Sequence, residues 1–205
     1  MKKIVVLDGS LHGKSGNTAG VVEELLPHLP GYFDVDWIEL KDVADFSTLE
    51  ERLRDAYGFI AATGTYWQSW GSPMQRFLEF ATQWEGKDVF LGKPVCAIVT
   101  MHSLGGAEVL GRLQANFNLL GAFIPPMCCF VYSHLTQMAG KNAEGNDVWN
   151  LDCLPTVAHN FQQAVDNLHQ YIAWEVDRGE SVTDVWLKKK KPSAMKRLLS
   201  KFWST

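Results

Sequence analysis

The chain reads KKIVVLDGSLHGKSGNTAGVVEEL over residues 2–25, an apolar run followed by a polar, glycine-rich loop and a helix-like segment. Apolar residues are consecutive from Ile4 to Leu7, which is typical of a strand buried on both faces of a parallel sheet. After Thr18, apolar residues recur at three- and four-residue spacing, which predicts an amphipathic helix. The stretch therefore predicts a strand, a loop and a helix in that order, the repeating unit of an α/β fold.

The same order recurs along the rest of the chain. Strands are predicted at Lys3–Leu7, Tyr32–Leu40, Tyr57–Ala62, Val95–Thr100 and Phe123–Tyr132. The second of these alternates apolar and polar residues, so we expect it nearer the sheet edge. Helical spacing follows Thr18, Ser47, Pro73 and Gly106 and recurs from Phe161 to Ile172. Five such units predict an open, doubly wound, five-stranded parallel sheet with helices on both faces.

Composition excludes several classes of protein. With 46% hydrophobic and 20% charged residues among 205, the chain can bury a core and is not disordered. A net charge of −4 gives no general affinity for nucleic acid. The four cysteines form no C-x-x-C pair, so we expect a reduced, cytoplasmic protein. The first apolar run is too short for a signal peptide and no run approaches a membrane span, so we expect the protein to be soluble.

Residues 188–205 differ in charge from the rest of the chain. They carry seven basic and no acidic residues, whereas residues 1–187, with twelve basic and 23 acidic residues, have a net charge of −11. Apolar residues between Met195 and Trp203 follow helical spacing, which predicts a basic amphipathic tail helix after a single domain over residues 1–187. We expect its apolar face to pack against protein, either the body or a neighbouring subunit. The alternative is an anionic membrane surface.

A doubly wound sheet binds ligands beyond the carboxyl ends of its strands, where the strand order reverses. The loop after the first strand carries three hydroxyl side chains and two glycines just before a helix, a typical setting for a phosphate group. The alternative is an ordinary strand-to-helix turn with a Ser or Thr cap. Gly13-Lys14-Ser15 looks like the end of a nucleotide-binding P-loop, but Asp8 stands where that motif needs glycine.

Three loops together carry a family resemblance. The segment Ser15–Thr18 resembles the turn that holds the FMN phosphate in flavodoxins. Thr63–Glu79 resembles the segment that runs along the flavin ring in NAD(P)H-dependent FMN reductases and quinone reductases of the flavodoxin-like superfamily, and Thr100–Glu108, with its Gly-Gly pair, resembles the segment close to the ring. The resemblance spans residues 1–178. It implies a flavodoxin-like fold, bound FMN, NAD(P)H as the electron donor, and a homodimer or homotetramer.

The resemblance also implies site residues and a reaction. Hydride is expected to pass from NAD(P)H to FMN and then to a small acceptor such as a quinone or a flavin, with no metal. The alternatives are a flavodoxin-type single-electron carrier and a nucleotide hydrolase built on the imperfect Gly-Lys-Ser loop. The residues expected to hold the phosphate are Ser10, His12, Ser15, Gly16, Asn17 and Thr18. Those expected to line the ring are Thr65, Tyr66, Trp67, Gln68, Thr100, Met101, His102, Gly105 and Gly106.

Several positions need separate interpretation. Gly64 stands where the family commonly has proline, and His12 stands where many relatives have an arginine, so phosphate affinity is expected to be weaker or to depend on pH. His102 is the candidate catalytic residue, as a hydrogen-bond partner of the flavin edge or a proton donor to the acceptor; the alternative is a solvated loop histidine. Tyr66, Trp67 and Trp70 have the alternative of packing or interface aromatics. Cys128 and Cys129 are interpreted as buried apolar residues.

Overall fold

The computed structural model describes residues 1–133, 135 and 151–177, with side chains described as far as Asn167. The chain divides into two compact units, Met1–His169 and Gln170–Thr205. The first contains the sheet and the site described below, and of the second only the helical backbone up to Asp177 is described. The predicted tail at 188–205 lies outside the described residues. No helix within the described ranges has both the length and the apolar character needed to cross a membrane.

A five-stranded parallel sheet with one short antiparallel addition forms the centre of the first unit. The strands are β1 (Lys2–Asp8), β2 (Phe33–Glu39), β3 (Gly58–Tyr66), β4 (Ser69–Trp70), β5 (Val95–Met101) and β6 (Cys129–Ser133). Their order is β2-β1-β3-β5-β6, and β4 pairs antiparallel with the end of β3. Counting the parallel strands alone, this is the flavodoxin-like order 2-1-3-4-5, so the predicted fold class is confirmed.

Helices cover both faces of the sheet. The helices are α1 (Asn17–Leu25), α2 (Glu50–Arg54), α3 (Ser72–Ala81), α4 (Gly106–Leu119) and α5 (Leu154–Asp177). On one face, α2, α3 and α4 pack on the odd-numbered residues of β1, such as Val5 and Leu7. On the other, α1 and α5 pack on the even-numbered residues Ile4 and Val6. Both faces of the central strands are thereby buried, which explains why their sequences are continuously apolar.

The prediction for the last strand was partly wrong. The apolar run from Phe123 suggested a strand up to Tyr132, but β6 begins only at Cys129. Phe123 forms a single isolated bridge with Pro94. Pro125 and Pro126 then lack the N–H groups that a sheet requires, and Met127 has a positive φ of 55°. The strand consequently starts after this interruption.

Two of the four cysteines, Cys96 and Cys128, are packing residues rather than reactive thiols. Cys96 and Cys128 are fully buried in the core beneath α5. Burial raises the pKa of Cys128 to about 12 and raises that of Cys96 well above its ordinary value. Thiols held in the protonated form are poor nucleophiles. The expectation of buried apolar cysteines therefore holds for Cys128, whereas Cys129 is only partly buried.

Candidate functional site

A pocket lies at the carboxyl ends of β1, β3, β5 and β6. It includes the position between β1 and β3 at which the strand order reverses. Its volume is about 150 Å³, which is smaller than the roughly 300–1,000 Å³ of pockets that bury a drug-sized ligand. A ligand larger than this volume would remain partly exposed. The pocket is lined by Ser10, His12, Gly16, Asn17, Thr18, Gly64, Thr65, Tyr66, Thr100, Met101, His102 and Tyr132.

The loop after β1 is held by a chain of hydrogen bonds that starts from Asp8. This carboxylate is 1% exposed, and its Oδ1 accepts hydrogen bonds from the N–H and the hydroxyl of Ser10 at 3.0 and 2.7 Å. The Ser10 hydroxyl oxygen in turn accepts from the Gly13 N–H at 3.1 Å. Gly13 has a φ of +56°, and a Cβ there would collide with the Glu39 carboxylate. Glycine is therefore required at this turn.

The N-terminus of α1 forms the floor of the pocket. Gly16 and Asn17 line it at the start of the helix, where the first N–H groups of a helix have no acceptor within the helix. Thr18 is buried, and its hydroxyl lies 2.7 Å from that of Thr100 at the end of β5, so that one donates to the other. This bond joins the start of α1 to the end of β5.

The second loop is a tight hairpin that continues β3. Residues 65 and 66 pair with residues 70 and 69, which leaves only Trp67 and Gln68 in the turn. Both have positive φ, 48° and 61°, as a two-residue turn of the I′ type requires, although Asn and Gly are the usual residues there. The Arg112 guanidinium donates to the Ser69 hydroxyl at 3.2 Å and stacks on Trp70. The hairpin is thus fastened to α4.

The hairpin places its aromatic side chains in different surroundings. Tyr66 lines the pocket, and its hydroxyl accepts a hydrogen bond from the Leu11 N–H at 3.4 Å. Trp67 is fully exposed. Trp70 packs against the core, and its indole N–H donates to Gln75 at 2.6 Å. The packing interpretation therefore holds for Trp70, whereas Tyr66 faces the site.

The third loop supplies a mixed polar and apolar wall. Met101 and His102 line the pocket, and the Met101 sulfur accepts a hydrogen bond from the Gly106 N–H at 3.2 Å. Gly105 has a φ of +86°, and Gln68 packs directly against it. The two glycines let α4 begin close to the hairpin and to Met101. They therefore position the wall of the pocket without forming its surface.

The lining of the pocket carries little formal charge. Its lining includes no lysine, arginine, aspartate or glutamate, and His12 and His102 are its only basic side chains. Lys14 is turned away: its Nζ lies over the Trp37 ring, and its backbone N–H donates to Glu39 at 3.1 Å. The Gly13-Lys14-Ser15 segment therefore directs no lysine side chain toward the pocket.

Most of the residues predicted for the site come together in the pocket. One exception is Ser15, which lines a neighbouring depression that shares Gly16, Asn17 and Tyr132 with the pocket. The other exceptions are four residues of the hairpin and third loop that do not line the pocket. Those four are Trp67, Gln68, Gly105 and Gly106. Tyr132 was missed, and Gly64 was noted only as standing where the family commonly has proline, not as a residue that lines the site. Tyr132 lies near the carboxyl end of β6, so applying the strand-end rule to that strand as well would have found it. Within the described part of the chain, no group of three or more His, Cys, Asp or Glu residues could hold a metal ion.

The strand order and the pocket at the strand-order reversal define a flavodoxin-like α/β protein. Residues 2–137 match the family described as NADPH-dependent FMN reductase, and the chain belongs to that family. It is accordingly an oxidoreductase whose cofactor is FMN and whose electron donor is NAD(P)H. No curated protein matches the chain.

Several solved structures share the fold at low sequence identity. FerB, a flavoenzyme NAD(P)H:(acceptor) oxidoreductase from Paracoccus denitrificans, is 19% identical, with a TM-score of 0.60 over 83% of this chain and 98% of that chain. RosB, with the bound intermediate 8-demethyl-8-formylriboflavin-5′-phosphate, is 15% identical, with a TM-score of 0.64 over 83% and 81%. A flavodoxin from the domain Archaea is 19% identical, with a TM-score of 0.57 over 81% and 99%.

Proposed function

We propose that the enzyme passes hydride from NAD(P)H through FMN to a small acceptor such as a quinone or a flavin. The observation that carries the proposal is the pocket itself, where an open helix N-terminus adjoins a wall of hydroxyl, aromatic and thioether groups. When bound, FMN supplies a ring that can accept hydride from a nicotinamide and pass electrons to a second substrate. The protein's part is to bind, orient and limit access to that ring.

The residues at the start of α1 fit a phosphate group. The proposed contacts are the free N–H groups of the first helical turn, together with His12, Gly16, Asn17 and Thr18. Ser10 lines the same end of the pocket, and Ser15 lies beside it. The positive end of the helix dipole favours an anion at this position. These features support our proposal that the phosphate end of the cofactor binds against the first loop.

The opposite side of the pocket fits a flat ring system. Thr65, Tyr66, Thr100, Met101 and His102 line it, and we propose that they contact the ring. Hydroxyl groups can bond the polar edge of a flavin, while the Tyr66 ring and the Met101 thioether can pack on its apolar part. Tyr132 and Gly64 join this wall. Trp67, Gln68, Gly105 and Gly106 are proposed to fix the wall rather than to form its surface.

His102 is proposed to transfer a proton to the reduced acceptor or to hydrogen-bond the ring edge. Its backbone is held firmly, because its carbonyl accepts hydrogen bonds from the Ser133 hydroxyl and the Leu135 N–H, both at 3.1 Å. His102 also lines the pocket. Replacement by asparagine should lower kcat for quinone and flatten its pH dependence, while a matched His28→Asn change at an exposed helix end should not. Identical pH profiles for His102→Asn and the wild type would refute the proton-transfer role.

The direct test of the reaction is spectroscopic. The protein is reconstituted with FMN, freed of excess flavin and mixed anaerobically with NADPH or NADH. Prompt bleaching of bound flavin, followed by reoxidation with a quinone, is the expected result. Flavin that binds but stays oxidised would instead support a single-electron carrier that depends on a partner reductase. No binding of flavin at any concentration would refute the proposal.

We also propose a homo-oligomer, in which the tail at 188–205 contributes. Leu11, Trp67, Leu104 and Leu135 expose apolar side chains close in sequence to residues that line the pocket or, for Leu135, bonded to the backbone of one. Exposed apolar side chains are typical of contact surfaces. Deleting residues 188–205 should reduce the oligomer size measured by light scattering. An unchanged oligomer with lost binding to anionic liposomes would instead assign the tail to a membrane surface.

A further inference from the structure

The depression beside the pocket is the larger of the two, and the proposed function assigns nothing to it. Its volume is about 340 Å³, compared with about 150 Å³ for the pocket. The two spaces adjoin, because Gly16, Asn17 and Tyr132 line both. The depression therefore starts at the helix end that is proposed to bind the flavin phosphate. We call it the α1 groove.

The α1 groove follows one face of the helix. The residues of α1 that line it beyond Gly16 recur at three- and four-residue spacing, namely Asn17, Gly20, Val21 and Glu24. Such spacing brings side chains to one face of a helix. From the first to the last of these residues the helix advances about 10 Å, which is comparable with the length of a nucleoside. A group attached to a phosphate at the first helical turn can therefore extend along this face.

Gly20 keeps the face of the groove open. A Cβ added at this position meets no neighbouring atom within 4 Å in the part of the chain that the structure describes. Packing within the protein thus gives no reason for glycine here. A helix interior disfavours glycine, since glycine loses more backbone entropy on folding than any other residue. A ligand that lies against the helix backbone accounts for the missing side chain.

The remaining lining suits a base and a ribose. Val21 and Leu151 provide apolar surface and Tyr132 provides an aromatic ring, and bases pack on groups of these kinds. The Glu24 side chain is exposed, and among the described residues it forms no hydrogen bond or salt bridge. A carboxylate accepts hydrogen bonds from ribose hydroxyls, whereas it repels a phosphate on the same ribose. The lining therefore favours an adenosine whose ribose carries free hydroxyls.

From the continuity of the two spaces we infer that the α1 groove receives the adenosine half of FAD, so that the enzyme binds this dinucleotide as well as FMN. In FAD the flavin phosphate is joined to a second phosphate and an adenosine, and the groove leads away from the pocket at the phosphate end. Ser15 and Asn17 line the groove there, next to the N–H groups of the first helical turn that favour a phosphate. The inference rests on the proposed function, since it assumes that the flavin phosphate lies at this turn.

The test compares FAD with FMN, which has the same ring and first phosphate but no adenosine. Dissociation constants of both flavins are measured by titration calorimetry of the flavin-free protein, for the wild type and for Gly20→Phe. The phenylalanine ring fills the groove without an internal clash at its Cβ. We expect the variant to bind FAD about tenfold more weakly, because the base loses its packing surface, with FMN affinity unchanged. Unchanged FAD affinity, or an equal loss for both flavins, would overturn the inference.

Two further variants control for folding and for position. Glu23→Phe adds the same ring at an exposed residue of α1 that does not line the groove, and it should change neither affinity. If Gly20→Phe does not fold, Gly20→Gln decides in the same assay, because glutamine is a good helix former whose side chain also enters the groove. A selective loss of FAD affinity in this variant supports the inference, and no selective loss overturns it.

Steady-state kinetics separate the adenosine of FAD from that of NADH. The FMN-loaded Gly20→Phe enzyme should have the same KM for NADH as the wild type. A raised KM for NADH with unchanged FAD affinity would assign the groove to the nicotinamide dinucleotide and overturn the inference. Failure of the wild type to bind either flavin would overturn the proposed function as well, whereas FMN binding without any selective effect on FAD would overturn this inference alone.

Discussion

The hairpin turn is expected to store strain that a sequence change can release. Trp67 and Gln68 both adopt left-handed backbone angles, which cost an ordinary residue about 1–2 kcal/mol each relative to glycine. Trp67 is fully exposed, so replacing its side chain sacrifices no burial. The double change Trp67→Asn and Gln68→Gly provides the residues that a type I′ turn prefers. Part of the gain is offset because Gln68 loses its contact with Gly105.

We expect this variant to raise the free energy of unfolding by about 1–2 kcal/mol, which corresponds to about 2–8 °C in Tm for a chain of this length. Urea unfolding followed by circular dichroism measures the change without relying on tryptophan fluorescence. Leu104→Asn is the matched control, because it removes an exposed apolar side chain from the neighbouring loop at a residue without positive φ. A loss of stability in the double variant, or an equal gain in the control, would refute the argument from strain.

Three further predictions concern the loops and the core. Gly13→Ala should lower the free energy of unfolding by at least about 1 kcal/mol and weaken FMN binding. Gly20→Ala, where an added Cβ meets nothing, should lower neither the free energy of unfolding nor the FMN affinity. Equal effects of the two changes in urea unfolding would contradict this prediction. Thr18→Val should cost about 1–3 kcal/mol by leaving the buried Thr100 hydroxyl without its partner, and a smaller loss is expected for the exposed Thr48→Val in the same assay. Burial lowers the pKa of Lys93 to about 8 from 10.5, so between these pH values the unfolded state binds more protons than the folded state. The free energy of unfolding should therefore rise with pH across that window, by up to about 3 kcal/mol. A Lys93→Met variant with the same pH dependence of unfolding would show that another group is responsible.

The order of strands and helices was predictable because the burial of a strand or helix face determines which positions in the sequence are apolar. Parallel strands covered on both faces must be continuously apolar, and four of the five predicted strands match the structure to within a few residues. The fifth was overextended because Phe123 and Ile124 are as apolar as a strand, while the proline pair and the positive φ of Met127 act through backbone geometry. Hydropathy alone does not register such interruptions.

The sequence predicted the location of the site better than the contacts within it. Strand ends and glycine-rich loops located the pocket, but β4 was not anticipated. A two-residue turn normally carries Asn or Gly, and nothing in a Trp-Gln pair predicts left-handed backbone angles. The engagement of the Ser10 proton by Asp8 was equally hidden, since a hydroxyl in a loop reads as a donor until its partner is known.

The continuity of β3 with the hairpin bears on how the enzyme responds to heat. One nine-residue strand runs from the centre of the sheet to Tyr66 at the pocket wall, and Arg112 fastens the turn beyond it to α4. This wall therefore belongs to the same cooperative unit as the core. Its amide hydrogens up to residue 66 should exchange with solvent as slowly as those in the centre of the sheet. Heat inactivation should coincide with global unfolding, with no earlier step in which this wall alone opens.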